Sequence, residues 1–179
     1  MKTDQAKLRV NQTADPVAMG IGNSKGVPLS DLIPDIGVHE THGLGGSRVL
    51  DLVTDSRRVV PGSLFFALEG LRSDGNDYVE EAIKRGAVGV VSKRSHPSGA
   101  GFSSIQVDDA REALARFSRR FHCFPDRELA LAGVTGTNGK TTVSTLVRFL
   151  LEQQGSPVGM IGTIRYELGD RTLPSFKTT

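Results

Sequence analysis

Between residues 133 and 142 the sequence reads Gly-Val-Thr-Gly-Thr-Asn-Gly-Lys-Thr-Thr, and this order of glycines, lysine and hydroxyls can hold a polyphosphate. Gly136 and Gly139 admit backbone dihedrals closed to other residues, so successive N–H groups can converge on one anion. Lys140 is placed to reach the β- and γ-phosphates, and the Thr141 hydroxyl to ligate Mg²⁺ beside them. The general pattern of glycine, four residues, glycine, lysine and a hydroxyl residue is met except at its first position, where Val134 stands between the glycines Gly133 and Gly136. The competing reading is a glycine-rich strand-to-helix turn with a lysine there by chance.

The flanking segments decide between these readings. Leu129 to Val134 is an apolar run expected to form a buried parallel strand, and the turn from Gly136 to Gly139 follows it. Val143, Leu146, Val147, Leu150 and Leu151 then recur at helical spacing. Strand, turn and helix N-terminus together aim unpaired N–H donors and a partial positive charge at one place.

Composition bounds the remaining choices. At 179 residues the chain can hold one ordinary domain, or a small domain and part of another. A net charge of +2 gives no argument for a nucleic-acid or membrane partner, and one cysteine, Cys123, excludes a disulfide framework. No apolar run approaches 18 residues and the N-terminus has no secretory h-region, so the expectation is a soluble, cytoplasmic protein.

In chain order, residues 1–27 read as a polar leader. Leu29 to Ile33 reads as one helical turn capped by Ser30, and His39 to Ser47 as a loop. Within that loop His39 and His42 could pair on a metal, but a solvated loop is the better reading. Val49 to Thr54 and Ser63 to Leu68 read as strands. A helix from Asp77 to Arg85 is expected to bury Val79, Ala82 and Ile83. Ala87 to Val91 and Ile105 to Val107 supply two further strands. Asp108 or Asp109 then caps a helix with Ala110, Ala113, Leu114, Phe117 and Phe121 on one face. Its other face carries Arg111, Arg116, Arg119 and Arg120, a solvated stripe rather than a nucleic-acid surface. His122 to Arg127 reads as a linker, Val158 to Ile161 as a second parallel strand after a right-handed crossover, and the remainder as less regular.

These segments together resemble the Mur ligases. The resemblance is carried by Thr54-Asp55-Ser56-Arg57, Pro61 to Ala67, Asp74-Gly75, Ala82-Ile83, Gly86-Ala87, Gly133 to Thr142, Gly162-Thr163-Ile164 and Thr178-Thr179. It spans about Leu29 to the end, and within the family it is nearest to members that add the third residue of the peptidoglycan stem peptide. Folylpolyglutamate synthetase shares a similar phosphate loop but not the Asp-Ser-Arg segment, and no Asn-Lys-x-Asp guanine motif supports a GTPase.

The resemblance implies an α/β fold: a UDP-sugar-binding domain over residues 28–124, then the start of a phosphate-loop, parallel-sheet ATPase domain over 125–179. It implies that Gly136, Thr137, Asn138, Gly139, Lys140, Thr141 and Thr142 bind ATP, with Lys140 in the catalytic role and Mg²⁺ at Thr141. Thr54, Ser56, Leu71, Arg72, Ser73, Thr178 and Thr179 are expected at the UDP-N-acetylmuramoyl-dipeptide. The implied reaction is amide formation: ATP phosphorylates the D-Glu carboxylate of UDP-N-acetylmuramoyl-L-alanyl-D-glutamate, and the amine of meso-diaminopimelate or L-lysine attacks the acyl phosphate. The chain alone is expected to be inactive. The alternatives are a non-catalytic UDP-sugar or nucleotide-binding module, or the next ligase of the pathway, which joins D-alanyl-D-alanine.

Overall fold

The computed structural model describes residues 25–33, 37–70, 73–99, 101–169 and 171–174. Most of the expected leader lies outside the described residues, as do Leu71, Arg72, Thr178 and Thr179. The chain divides into two compact units, Met1–Leu129 and Ala130–Thr179.

The first unit opens with strand β1 (Val27–Pro28), helix α1 (Leu29–Leu32), β2 (Val38–His42), β3 (Arg48–Val49) and β4 (Asp51–Val53). It continues through β5 (Ser63–Phe66), α2 (Val79–Lys84), β6 (Gly89–Ser92), β7 (Ser103–Val107) and α3 (Ala110–Phe121). Five of these strands form one sheet in the order β2-β7-β6-β5-β4, and β1 pairs separately with β3. The steps from β4 to β7 are parallel, with Leu52 opposite Leu64, Phe65 opposite Val90 and Val91 opposite Ile105. A parallel sheet needs cover on both faces, and the two-residue period of the strands supplies it. Leu64, Phe66, Val91 and Ile105 point to the face covered by α1 and α3, against Phe117 and Phe121. Phe65, Ala67 and Val90 point to the face covered by α2, against Val79 and Ala82. Asp109 caps α3, accepting from the Arg111 and Glu112 N–H groups at 2.7 and 3.1 Å.

Several expectations are corrected in this unit. Residues 39–42, read as the start of a loop, belong to the edge strand β2, antiparallel to β7. Val-His-Glu-Thr-His shows no apolar alternation because an edge strand is held by its ladder more than by burial. His39 meets Asp108 and His42 meets Glu40 at 3.0 Å; among the described residues no group of three His, Cys, Asp or Glu side chains could hold a metal. Ser30 does not cap α1: Pro28 holds that place, and the Ser30 hydroxyl donates to Asp31 within the helix. The segment from Val49 divides because β3 pairs with β1 while β4 pairs with β5. Ile83 is 41% exposed, since a 3₁₀ turn at Gly75–Tyr78 starts α2 later and turns Val79 and Ala82 inward.

The second unit contains α4 (Lys140–Gln153) and strands β8 (Gly159–Ile161), β9 (Arg165–Leu168) and β10 (Arg171–Pro174). The strands form an antiparallel sheet in the order β10-β9-β8. Glu167 on β9 is buried between Arg148 of α4 and Arg165, tying the helix to the sheet. Two expectations fail here. Residues 129–134 form no strand and Leu131 is 80% exposed. Val158 to Ile161 does yield a strand, but it pairs antiparallel with β9. A strand exists only where a neighbour completes its ladder, and among the described residues none pairs with 129–134. The same lack leaves the α4 stripe uncovered, with Leu146 56% exposed.

An exposed apolar stripe binds apolar dyes. The chain is therefore expected to enhance anilinonaphthalene-sulfonate fluorescence, and L146Q with F149Q to reduce that enhancement without shifting the urea midpoint of the first unit. An unchanged dye signal in the double variant would place the apolar surface elsewhere.

Candidate functional site

The first unit holds a cavity of about 730 Å³. It lies at the carboxyl ends of β4 and β5, where open α/β sheets place their ligands. Three segments build it, each anchored by a different local device.

The first wall leaves β4 as Thr54-Asp55 and enters a 3₁₀ turn at Ser56–Arg58. Asp55 caps that turn, accepting from the Arg57 N–H at 3.0 Å and from the Arg57 guanidinium at 2.9 and 2.7 Å. The Arg57 side-chain bonds, with the backbone bond next, draw the Asp55 carboxyl down to about 2. A carboxyl lowered by folding adds stability above its ordinary pKa of 3.8 and loses it as pH falls toward 2. Wild type is thus expected to be more stable than D55N at pH 5, with the gap in urea midpoint closing between pH 4 and 2. A gap independent of pH would show that the carboxylate's charge contributes nothing.

The second wall follows β5 through Leu68, Gly70 and Ser73 to the turn at Gly75–Tyr78. Asp74 caps this turn, accepting from the Asn76 N–H at 2.9 Å and the Asn76 side chain at 2.6 Å. These bonds, and Arg94 beyond them, hold its carboxyl below the usual range. The Asn76 amide oxygen also meets Ser92 Oγ at 2.5 Å and His96 Nε2 at 2.9 Å. Partial burial, and then Arg94, pushes the His96 imidazole below its ordinary range.

The third wall is the exposed side of α2. Ser56 Oγ donates to Glu81 Oε2 at 2.8 Å, and Arg85 Nε donates to Glu81 Oε1 at 2.9 Å. Arg85 Nη1 also reaches the Arg57 carbonyl at 3.3 Å. The Ser56 bond, and then Arg85, lowers the Glu81 carboxyl.

Of the residues expected at the UDP-sugar, Thr54, Ser56 and Ser73 all line this one cavity. Thr54 and Ser73 are exposed and Ser56 is buried. Glu81 and Arg85 line it as well; their only signal in the sequence is the four-residue spacing of an ion pair on one helix.

In the second unit the phosphate loop is open to solvent from Gly136 to Thr142. Gly136 and Gly139 have φ of 150° and 76°, which keep their amides out of helical geometry before α4 begins. Among the described residues no hydrogen bond engages the N–H groups of Gly136, Thr137, Asn138 or Gly139. Lys140 Nζ lies 2.6 Å from the Gly136 carbonyl and 3.4 Å from that of Thr137. Thr141 and Thr142 stand in the first turn of α4. Unpaired amides, a helix N-terminus and a cation at its rim fit a phosphate chain.

Comparison with known proteins agrees with this division of the chain. Residues 51–122 match the Mur ligase family, catalytic domain, and residues 134–179 the Mur ligase middle domain. A UDP-N-acetylmuramoyl-L-alanyl-D-glutamate–2,6-diaminopimelate ligase of Caldanaerobacter subterraneus subsp. tengcongensis is 42% identical over 151 residues, covering 84% of this chain and 31% of that protein. The ligase of the same name from Geobacillus kaustophilus is 42% identical over 147 residues, 82% of this chain and 29% of that protein. The chain thus spans about 30% of the length of the curated relatives it matches. A solved ligase structure of that name covers 83% of this chain and 30% of its own, with a TM-score of 0.62 at 23% identity, a likeness of fold. By its two matched domains and these relatives, the chain belongs to the Mur ligase family.

Proposed function

We propose that this chain carries the UDP-sugar site and the ATP-phosphate loop of a ligase that joins meso-diaminopimelate to UDP-N-acetylmuramoyl-L-alanyl-D-glutamate. The observation that carries the reading is the gathering of Thr54, Ser56 and Ser73 around one cavity at the sheet's carboxyl edge. The choice of diaminopimelate over lysine rests on the names of the relatives. Residues 28–124 are assigned to the UDP-sugar and 125–179 to the start of the ATP-binding domain. Leu71, Arg72, Thr178 and Thr179 are assigned to the same muramoyl-dipeptide.

The chemistry asked of these residues is mostly positioning and neutralisation of charge. The first unit grips the uridine-linked end, holding the D-Glu carboxylate at the end of a long, fixed handle. The amides from Gly136 to Gly139 hold the ATP phosphates, and Lys140 exchanges the carbonyls of Gly136 and Thr137 for phosphate oxygens. The γ-phosphoryl passes to the carboxylate, giving ADP and an acyl phosphate; the amine then attacks the acyl carbon and inorganic phosphate leaves. The Thr141 hydroxyl, in the first turn of α4, would hold a Mg²⁺ ion, which when bound would neutralise phosphate charge. UDP-linked precursors and ATP are cytoplasmic small molecules, and the reading places a monomeric enzyme there; among the described residues no helix is long and apolar enough to cross a membrane.

Calorimetric titration of UDP-N-acetylmuramoyl-L-alanyl-D-glutamate into the 179-residue chain tests this reading. Saturable binding, abolished by blocking the cavity with T54W, is expected. A chain that takes no ligand, or binds it equally well after T54W, refutes the assignment. An anion at a helix N-terminus gains about 0.3–1 kcal/mol against about 8 kcal/mol for micromolar binding, so ATP alone is expected to bind the chain weakly.

A further inference from the structure

The hydroxyl proton of Ser56 is already committed. Ser56 Oγ donates to Glu81 Oε2 at 2.8 Å, and the other oxygen of that carboxylate is held by Arg85 at 2.9 Å. A serine hydroxyl has one proton to give and lone pairs that accept. With the proton on Glu81, the oxygen meets a ligand only as an acceptor.

The surroundings say which part of a nucleotide suits it. Leu68 and Tyr78 line the same cavity and offer apolar surface for a flat ring, with the buried Phe65 beneath them. The two arginines of this wall are each paired to a carboxylate, Arg57 to Asp55 and Arg85 to Glu81. Such a wall, its cations already paired, holds no lone positive charge for a diphosphate, while the Ser56 oxygen suits an N–H on a ring edge.

We propose that Glu81 is a positioning residue for Ser56, fixing its hydroxyl so that the cavity selects a pyrimidine bearing an imide N–H, uracil, over cytosine, whose ring nitrogen is an acceptor there. This rests on the reading of the cavity as the UDP-sugar site and adds how its nucleotide is chosen. Arg85 completes the arrangement by holding the Glu81 carboxylate in place.

The test compares UDP with CDP by calorimetry on the full 179-residue chain, as wild type, E81Q, S56A and the double variant. Wild type is expected to prefer UDP at least about tenfold, the scale of one hydrogen bond replaced by opposed acceptors. E81Q keeps the side chain's shape but lets the hydroxyl proton turn toward the ligand, and it is expected to lower that preference about fivefold or more. S56A should lower it similarly, and the double variant no further than S56A alone. A general loss of structure would weaken both nucleotides together and leave their ratio untouched, so the ratio reports positioning. A wild-type ratio retained in E81Q, or equal binding of UDP and CDP by wild type, overturns the proposal while leaving the cavity reading intact. Binding of neither nucleotide by a folded wild type overturns both.

Discussion

Replacing Phe117 by alanine is expected to destabilise the first unit by about 3–5 kcal/mol, the usual cost of emptying a large aromatic site in a core. Phe117 is fully buried and meets the Phe66 ring edge-on, with centroids 5.5 Å apart at 78°. The neighbouring residue on that strand, Phe65, lines the cavity on the opposite face. Loss of the α3 contact is therefore expected to reach the ligand site through the sheet. Whole domains are stable by only about 5–15 kcal/mol, so F117A should unfold at markedly lower urea and lose UDP binding near the wild-type midpoint. L146A on the exposed face of α4 is the contrast, and as a surface change should shift stability by only about 0.5 kcal/mol. A loss below about 1 kcal/mol for F117A would mean that α3 does not carry the packing described.

Gly75→Ala is expected to damage the cavity directly. A Cβ at this position would stand 2.6 Å from the Leu68 N, 2.7 Å from its carbonyl oxygen and 2.8 Å from the Ala67 carbonyl carbon. All three are backbone atoms, so no side-chain rotation relieves the contact. The Gly75 N–H also donates to the Leu68 carbonyl at 2.9 Å, which fixes the two strands of the loop together. Separating them costs about 1–3 kcal/mol by the general scale of overpacking, and it moves Leu68, Ser73 and Tyr78 along with the turn. Affinity for the UDP-sugar is expected to fall about tenfold or more, equivalent to about 1.4 kcal/mol. G99A is the control, because a Cβ there meets nothing within 4 Å. Wild-type affinity in a folded G75A would show that this edge of the cavity is not used.

What could be read from the sequence, and what could not, follows the range of each interaction. The apolar strands β5 and β6 and the amphipathic α3 announce themselves through short periodicities, and Asp109 through its place before α3. The loop at Gly136 to Thr142 is legible because its glycines, lysine and hydroxyls are consecutive in the chain. Strand β2 is not, since an edge strand of polar residues owes its form to β7, some 60 residues away. Residues 129–134 mislead in the opposite sense: their composition suits a strand, but composition supplies no ladder partner. The hairpin of β9 and β10 falls mostly in segments that read as less regular, yet Thr172 pairs with Glu167 and Leu173 with Tyr166. In the cavity, Thr54 and Ser56 follow from a contiguous segment, whereas Glu81 joins them only when α2 folds back across 25 positions.

The four charged side chains around Ser56 form two self-contained couples, Asp55 with Arg57 and Glu81 with Arg85. Each couple is close to a dipole, whose field fades faster with distance than that of a lone charge. This rim therefore exerts little pull on an anionic nucleotide arriving through solution, and changes in ionic strength have little to screen there. Capture at this wall depends on fit after contact rather than on attraction before it.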